Sequence, residues 1–393
     1  MNTFLRPYAS TLVIMAATLL LSGCSTISQL WDDGAATSPE ERLKMYVEPK
    51  PGRSVTLERN WKSSATSSAA KYHHHPGVIA VSGGDVFVAS HKGDVVRLSR
   101  TNGDTLWKKD VDTPLTGGVA VDEKSVFVGT LEGEIIALSR SDGSQLWRAK
   151  VGATVASAPA VSRNRVVCVT LDNRTVALDT SNGSRLWQHA ALPETMALGG
   201  AATPTFAGDF VLVGYSSGEV FALNLADGRK VWSDNLTVLG GRTELDMVQD
   251  VDAPVVVVGN RIYAVNHQGN MVVYAGVSGN RLWERTMSSI RRPLVLKGRV
   301  FISDVEGWLY ALDDESGAQV WRTRISDGLL SNPVLLKGQI LVVDHEGRFA
   351  AVDPNSGKVE GLDRLKEDVF SELTLVDNEL YIWTDSGNLF RFQ

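Results

Sequence analysis

Two carboxylates only two residues apart, Asp250 and Asp252, are the side chains in this sequence that most suggest chemistry. They end the stretch Gly240–Pro254, GGRTELDMVQDVDAP, which also carries Glu244 and Asp246. Such a group could be an acid–base pair, a calcium site or the acidic edge of a protein-docking surface. Alternate residues of an extended chain point to opposite sides, so the two carboxylates need not converge, which disfavours an acid–base pair. The spacing and the glycine of an EF-hand calcium loop are also missing.

The elements that must position these residues are internal repeats. A frame of glycine, alternating apolar residues, a second glycine and a tryptophan recurs about every 40 residues, for example as GEIIALSRSDGSQLW. One copy has Gly361 in the tryptophan position, and an eighth copy begins at Gly387 without its last strand. We expect the recurring indoles to pack between neighbouring repeats rather than to bind a ligand. They are Trp61, Trp107, Trp147, Trp187, Trp232, Trp283 and Trp321.

Each repeat predicts four short antiparallel strands, with a glycine-containing hairpin turn before the last strand. Four strands in each of eight repeats are typical of β-propeller blades. The segment VTLERNW, which ends at Trp61, matches the strand that the last repeat lacks. We therefore predict an all-β fold for residues 54–393, an eight-bladed propeller of four-stranded antiparallel blades, closed by pairing of the N-terminal strand with the C-terminal blade. A solenoid is the competing architecture, and the split repeat favours the closed ring.

Residues 1–23 have the pattern of a signal peptide, since the apolar run Thr11–Leu21 is too short to span a bilayer. The run ends in Leu-Ser-Gly-Cys, which resembles the lipobox of bacterial lipoproteins. The resemblance implies that Cys24 is lipidated and that Ser25, in place of Asp, directs the protein to the inner leaflet of the outer membrane. Residues 24–53 are polar and proline-dotted, which predicts a tether to a periplasm-facing domain.

Composition narrows the classes of partner and reaction. The formal net charge of −6 disfavours nucleic acid as a partner, because phosphate binding needs a basic face.

Cys168 lies in the apolar run RVVCVT, which predicts a buried and unreactive thiol. His73, His74 and His75 could bind a metal as a cluster, but consecutive side chains in a connection diverge, which favours a solvated loop.

The repeat frame resembles that of pyrroloquinoline quinone dehydrogenases and of non-enzymatic propellers that share it. Those dehydrogenases use a vicinal cysteine pair and calcium around the quinone, whereas Cys168 has no cysteine neighbour in the sequence. The lipobox, the tether and the eight repeats together resemble the BamB family of outer-membrane protein assembly lipoproteins, most strongly at Asp250–Asn270. This resemblance implies a protein without catalytic role or cofactor. The alternatives are a periplasmic quinoprotein dehydrogenase and a ligand-binding propeller, for example for a sugar or peptidoglycan.

The family resemblance also implies partners. These are the POTRA domains of BamA, the rest of the BAM complex, and unfolded outer-membrane proteins on their way to the barrel insertase. On a first contact loop, Met196 and Leu198 match the family's apolar positions, and Gly199 stands where the family has arginine. On a second loop, Asp250 and Asp252 match an acidic pair.

Loop lengths point to the same two segments independently. Most repeats have 7 to 12 residues from the tryptophan to the proline that opens the next repeat. Trp187 to Pro204 spans 17 residues and Trp232 to Pro254 spans 22, and these two long connections are consecutive. Adjacent enlarged loops on a rigid scaffold are a common place for binding. The predicted docking residues of loops 188–203 and 233–253 are Met196, Leu198, Gly199, Glu244, Asp246, Asp250 and Asp252.

Overall fold

Eight four-stranded antiparallel sheets make up the described part of the chain. The structure is a computed structural model that describes residues 57–66, 77–191, 201–237 and 251–393. All strands of these ranges belong to the unit Pro49–Gln393. Among the described residues, no helix is both long and apolar enough to cross a membrane.

Each sheet is one blade, with strands A to D in spatial order from the inner to the outer edge. Blade 1 is β2–β5, each later blade takes the next four strands up to β29, and blade 8 combines β30–β32 with β1. Within the described ranges, one 3-10 turn, Gly276–Ser278, precedes β21. The strands are β1 (Arg59–Ser64), β2 (Ala80–Ser82), β3 (Asp85–Ala89), β4 (Asp94–Ser99), β5 (Thr105–Asp110), β6 (Leu115–Val121), β7 (Ser125–Thr130), β8 (Glu134–Ser139), β9 (Gln145–Lys150), β10 (Ala160–Ser162), β11 (Arg165–Thr170), β12 (Arg174–Asp179), β13 (Arg185–Ala190), β14 (Thr205–Ala207), β15 (Phe210–Gly214), β16 (Glu219–Asn224), β17 (Lys230–Asn235), β18 (Val256–Val258), β19 (Arg261–Val265), β20 (Asn270–Ala275), β21 (Asn280–Thr286), β22 (Leu294–Leu296), β23 (Arg299–Ser303), β24 (Trp308–Asp313), β25 (Gln319–Arg324), β26 (Val334–Leu336), β27 (Gln339–Val343), β28 (Arg348–Val352), β29 (Val359–Arg364), β30 (Thr374–Val376), β31 (Glu379–Trp383) and β32 (Asn388–Phe392).

The core is a ring of eight apolar clusters, each shared by two neighbouring blades. Strands B and C read as nearly continuous apolar runs because both of their faces are covered by a neighbouring blade. The cluster that joins the last blade to the first contains Val86 and Val88 of blade 1 with Tyr381 and Trp383 of blade 8. The predicted closed eight-bladed propeller is therefore confirmed.

The recurring tryptophans reach from strand D of one blade to the C–D turn of the next. Six of them donate the indole N–H to a main-chain carbonyl there, at 2.8 to 3.1 Å. The ring also lies against the turn glycine: a Cβ on Gly228 would lie 2.5 Å from a ring carbon of Trp187. The two ends of the Gly-x-x-x-Trp motif thus contact opposite neighbours. The glycines that receive an indole are Gly103, Gly143, Gly183, Gly228, Gly279, Gly317 and Gly357.

This geometry explains why blade 7 has Gly361 in place of tryptophan. The next blade takes its strand D from the N-terminal segment, so no C–D turn follows β32 to receive an indole. Leu57, Phe349, Phe390 and Phe392 fill this junction instead. The closing strand β1 pairs with β32 and runs to Ser64, which is further along the chain than the segment ending at Trp61 that the sequence suggested.

Glu367 holds the closing strand at the opposite end from Leu57. Its carboxylate accepts hydrogen bonds from Lys62 Nζ (2.7 Å), Ser386 Oγ (2.6 Å), Thr384 Oγ1 (2.7 Å) and Asn388 Nδ2 (2.9 Å). Burial by itself raises the pKa of Glu367, but these donors outweigh burial and lower the pKa to about 2. The charged form is therefore strongly preferred in the folded ring.

We predict that Glu367→Gln lowers the free energy of unfolding by about 2 to 3 kcal/mol at pH 7, as a pKa depression of this size implies. Because the folded pKa lies below the ordinary value of 4.5, the stabilisation is complete above that pH. It is lost as the pH falls from 4.5 through 2. Urea unfolding across this range, with the exposed Glu123→Gln as control, measures the difference. A gap between the Glu367 variant and wild type that is independent of pH would contradict this assignment.

Candidate docking face

The two long loops leave the same face of the ring. In an antiparallel A-B-C-D blade, the B–C turn and the connection from D to the next A lie at one end, and the A–B and C–D turns lie at the other. We call the first end the loop face. Asp252 lies within the described residues. Met196, Leu198, Gly199, Glu244, Asp246 and Asp250 lie outside them, as do Cys24 and the histidines at 73–75.

Both roots of the first loop are fixed to neighbouring turns. Ala191 N–H donates to Asn173 O at 2.9 Å, in the B–C turn of blade 3. After the loop, Ala201 N–H donates to Ala156 O at 3.1 Å, in the connection between blades 2 and 3. The first loop thus starts and ends over blade 3 on the loop face.

The second loop is rooted on the B–C turn of blade 4. Leu236 N–H donates to Gly218 O at 2.9 Å, and Val251 N–H donates to Tyr215 O at 3.2 Å. The turns of blades 3 and 4 are joined by a buried hydrogen bond from Ser216 Oγ to Asn173 Oδ1, at 2.9 Å. The loop roots therefore lie side by side, as the consecutive long connections suggested.

Asp252 belongs to the root of the second loop. Its neighbours Val251 and Ala253 are 0 % and 1 % exposed, and Val251 packs directly against Gly214. Asp252 itself is half-buried, and its Oδ1 is out of contact with solvent. A partner on the loop face therefore meets only part of this carboxylate.

The turns and connections of the loop face carry more acids than those of the opposite face, although some of these acids, such as Asp172, Asp344 and Glu367, pair with basic residues on strands. Among the described residues between strands, this face has thirteen Asp and Glu against four basic residues, a net charge of −9. The corresponding turns of the opposite face sum to −2 over the same part of the chain. Such a face favours a partner with basic groups at its contact surface, and it speeds their encounter. The four basic residues are Lys92, Arg291, Arg292 and Lys366.

The inner part of the loop face is filled by a buried arginine. Arg291 donates from Nε to Leu330 O at 3.1 Å and from Nη2 to Phe370 O at 3.2 Å. It thereby links the connections that enter blades 6, 7 and 8, and burial lowers its pKa. Arg292 forms an ion pair with the buried Glu372 at 2.6 Å. Arg291 and the Arg292–Glu372 ion pair thus join the connections that enter blades 6, 7 and 8.

The described residues contain no metal-binding group of three or more His, Cys, Asp or Glu side chains. Cys168 is 1 % exposed, as predicted, and burial raises the pKa of its thiol to about 12. A thiol with that pKa is protonated at neutral pH and is a poor nucleophile or metal ligand.

Comparison with known proteins places these features in a family. The family model described as outer membrane protein assembly factor BamB matches residues 91–323 and 295–390. The chain belongs to the BamB family. The BamB of Pseudomonas aeruginosa is 41 % identical to it over 310 residues, which cover 78 % of each chain. The crystal structure of BamB from Moraxella catarrhalis has a TM-score of 0.78, at 23 % identity, over 86 % of this chain and all of that one.

The BamB family comprises assembly factors rather than enzymes, so the quinoprotein alternative has no support from it. A quinohemoprotein alcohol dehydrogenase from Comamonas testosteroni is also similar, with a TM-score of 0.67 over 88 % of this chain and 78 % of that one. Its identity to this chain is only 13 %, so the likeness concerns the fold alone.

Two exposed leucines on the loop face were not singled out in the sequence. Leu131 and Leu171 open the B–C turns of blades 2 and 3, and they are 40 % and 43 % exposed. Both turns have ordinary length, so loop length does not distinguish them. A comparison of the repeats would have found them, because the other blades of this BamB family member have His, Ser, Val or Asp at the same position.

Proposed function

We propose that this chain is a lipid-anchored, non-enzymatic scaffold of outer-membrane protein assembly that binds the POTRA domains of BamA. The observation that carries the proposal is the pair of enlarged loops rooted side by side on the acidic loop face. Membership of the BamB family supplies the assembly role.

The propeller suits this role because it is a closed ring of shared cores. Each apolar core is shared by two neighbouring blades, so the blades cannot move independently. The ring therefore holds the two loop roots in fixed relative positions. Binding residues on a rigid scaffold lose little conformational entropy when they dock. Met196 and Leu198 would form the apolar centre of the contact, and Glu244, Asp246, Asp250 and the exposed part of Asp252 its acidic rim.

The N-terminal segment would place the ring near its partner. Residues 1–23 would be removed as a signal peptide, and lipid on Cys24 would anchor the chain in the inner leaflet of the outer membrane. Residues 24–53 would then let the propeller reach the periplasmic domains of BamA and the rest of the BAM complex. In this position the scaffold assists delivery of unfolded outer-membrane proteins to the insertase.

Purification of the full chain from detergent-solubilised cell envelope tests this function. We expect BamA to co-purify with the chain and to be identified by mass spectrometry. A second outer-membrane lipoprotein of different fold, purified in the same way, is the control. Recovery of the chain without BamA, or recovery of equal BamA with the control, would overturn the proposal.

A further inference from the structure

We propose that Leu131 and Leu171 form a second contact site on the loop face, for a protein surface with an apolar side chain bordered by lysine or arginine. The site lies on blades 2 and 3, beside the loops assigned above, and it would extend the contact from blade 3 to blade 2. The inference rests on the proposed function, because the partner meant is the one that those loops bind.

The two leucines lie next to one another across a single residue. Thr154, in the connection between blades 2 and 3, donates from Oγ1 to Leu131 O at 2.7 Å. The carbonyl of the same Thr154 accepts the N–H of Leu171 at 2.8 Å. Thr154 therefore holds the main chains of both turns beside one another, which places the two exposed leucines on neighbouring turns. Isolated exposed leucines are ordinary on protein surfaces, whereas neighbouring apolar side chains can mark a contact site.

The patch is continuous with the first docking loop. Ala156, two residues after Thr154, accepts the N–H of Ala201 where that loop returns to the ring. Asn173, two residues after Leu171, accepts the N–H of Ala191 where the loop begins. Both roots of the loop thus lie within two residues of the patch. A partner seated on the loop would have the leucines next to it.

The charges around the patch indicate the chemistry of its partner. Each leucine is followed by an exposed acid, Glu132 in one turn and Asp172 in the other, and Asp172 forms an ion pair with Arg174. Between the strands of blades 1 to 3, the described residues of the loop face carry three acids, Asp112, Glu132 and Asp172, against one basic residue, Lys92. An apolar centre with an acidic rim is complementary to an apolar side chain surrounded by basic groups.

The same two blades offer matched controls. Leu146 and Leu186 lie on the outer strands β9 and β13, and they are 51 % and 43 % exposed. They equal Leu131 and Leu171 in residue type and nearly in exposure, but they lie on the outer rim rather than in the loop-face turns. Only their position on the ring distinguishes the two pairs.

The test is a titration of the purified full chain against the purified periplasmic region of BamA. We expect Leu131→Asp/Leu171→Asp to raise the Kd about tenfold or more, since each change replaces an apolar contact at the centre of the site with a charge that loses its hydration on binding. Leu146→Asp/Leu186→Asp should bind as the wild type does. The milder Leu131→Gln/Leu171→Gln, with unfolding curves for all variants, guards against loss of fold.

The outcomes separate this inference from the function on which it rests. A weakened Leu131/Leu171 variant beside an unaffected control supports the second site. If only changes in loops 188–203 and 233–253 weaken binding, the second site is overturned and the proposed function stands. If both leucine pairs weaken binding equally, the effect is not specific to the loop face and the site is also overturned. A wild-type chain that does not bind overturns both proposals.

Discussion

Gly228→Ala is expected to lower the free energy of unfolding of the propeller by about 3 kcal/mol. Gly228 has a φ of +72°, a left-handed conformation that costs a residue with a Cβ roughly 1 to 2 kcal/mol. The added Cβ would also lie 2.5 Å from the indole of Trp187, which is itself only 7 % exposed. Either the ring or the turn must move, and overpacking of this kind costs a further 1 to 3 kcal/mol, roughly.

A second glycine of blade 4 separates the two causes. Gly208 has a φ of +62°, and a Cβ added there would meet no atom within 4 Å. Gly208→Ala should therefore show the conformational cost alone, about 1 kcal/mol. Urea unfolding of both variants measures the difference. Equal losses would contradict the view that the turn glycine is required by the indole of the preceding blade.

The architecture could be predicted from the sequence because it is repeated. A single frame, read many times, gives the strand order, the hairpin glycines and the number of blades, and each copy checks the others. The position of the closing strand was less well predicted, since β1 begins at Arg59 and extends to Ser64. Its bounds depend on pairing with β32, far away in the sequence, which no local pattern records.

The reason for Gly361 was also not visible in the sequence. In the sequence, Gly361 only marks a repeat that lacks its tryptophan. In the ring, Gly361 lies at the junction between blades 7 and 8, and the outer strand of blade 8 is β1, from the other end of the chain. The side chains that fill this junction, such as Leu57 and Phe392, are brought together only by closure. A feature that depends on closure cannot be read from one repeat.

The docking face was predicted in part. Loop length located the two long connections, and topology then placed their roots together. Asp252 was expected to lie in an acidic edge, but its position between the buried residues Val251 and Ala253 covers part of the carboxylate. Leu131 and Leu171 could not be predicted from loop length, because they are distinguished by the exposure of their side chains. The acidity of the face emerges only once strand ends are known, because it is spread over many short turns.

A charge reversal in the second loop combined with loss of an apolar side chain in the first should have the largest effect on binding. We predict that Asp250→Lys/Leu198→Asp weakens binding of BamA about 100-fold, close to 3 kcal/mol, because Lys at 250 repels the partner's basic groups and Asp at 198 replaces an apolar contact with a charge that loses its hydration. Asp252 is left unchanged because its buried oxygen makes a substitution there a test of folding as well. The matched control is Asp227→Lys/Val231→Asp, in blade 4, at two exposed positions outside the loop face.

The most direct measurement of the central claim is the Kd of the full chain for the periplasmic region of BamA, determined for wild type, loop variant and control. We expect saturable binding for the wild type and the control, and severe loss of binding for Asp250→Lys/Leu198→Asp with an unchanged unfolding curve. Wild-type affinity in the loop variant would contradict the claim that these two loops form the docking surface.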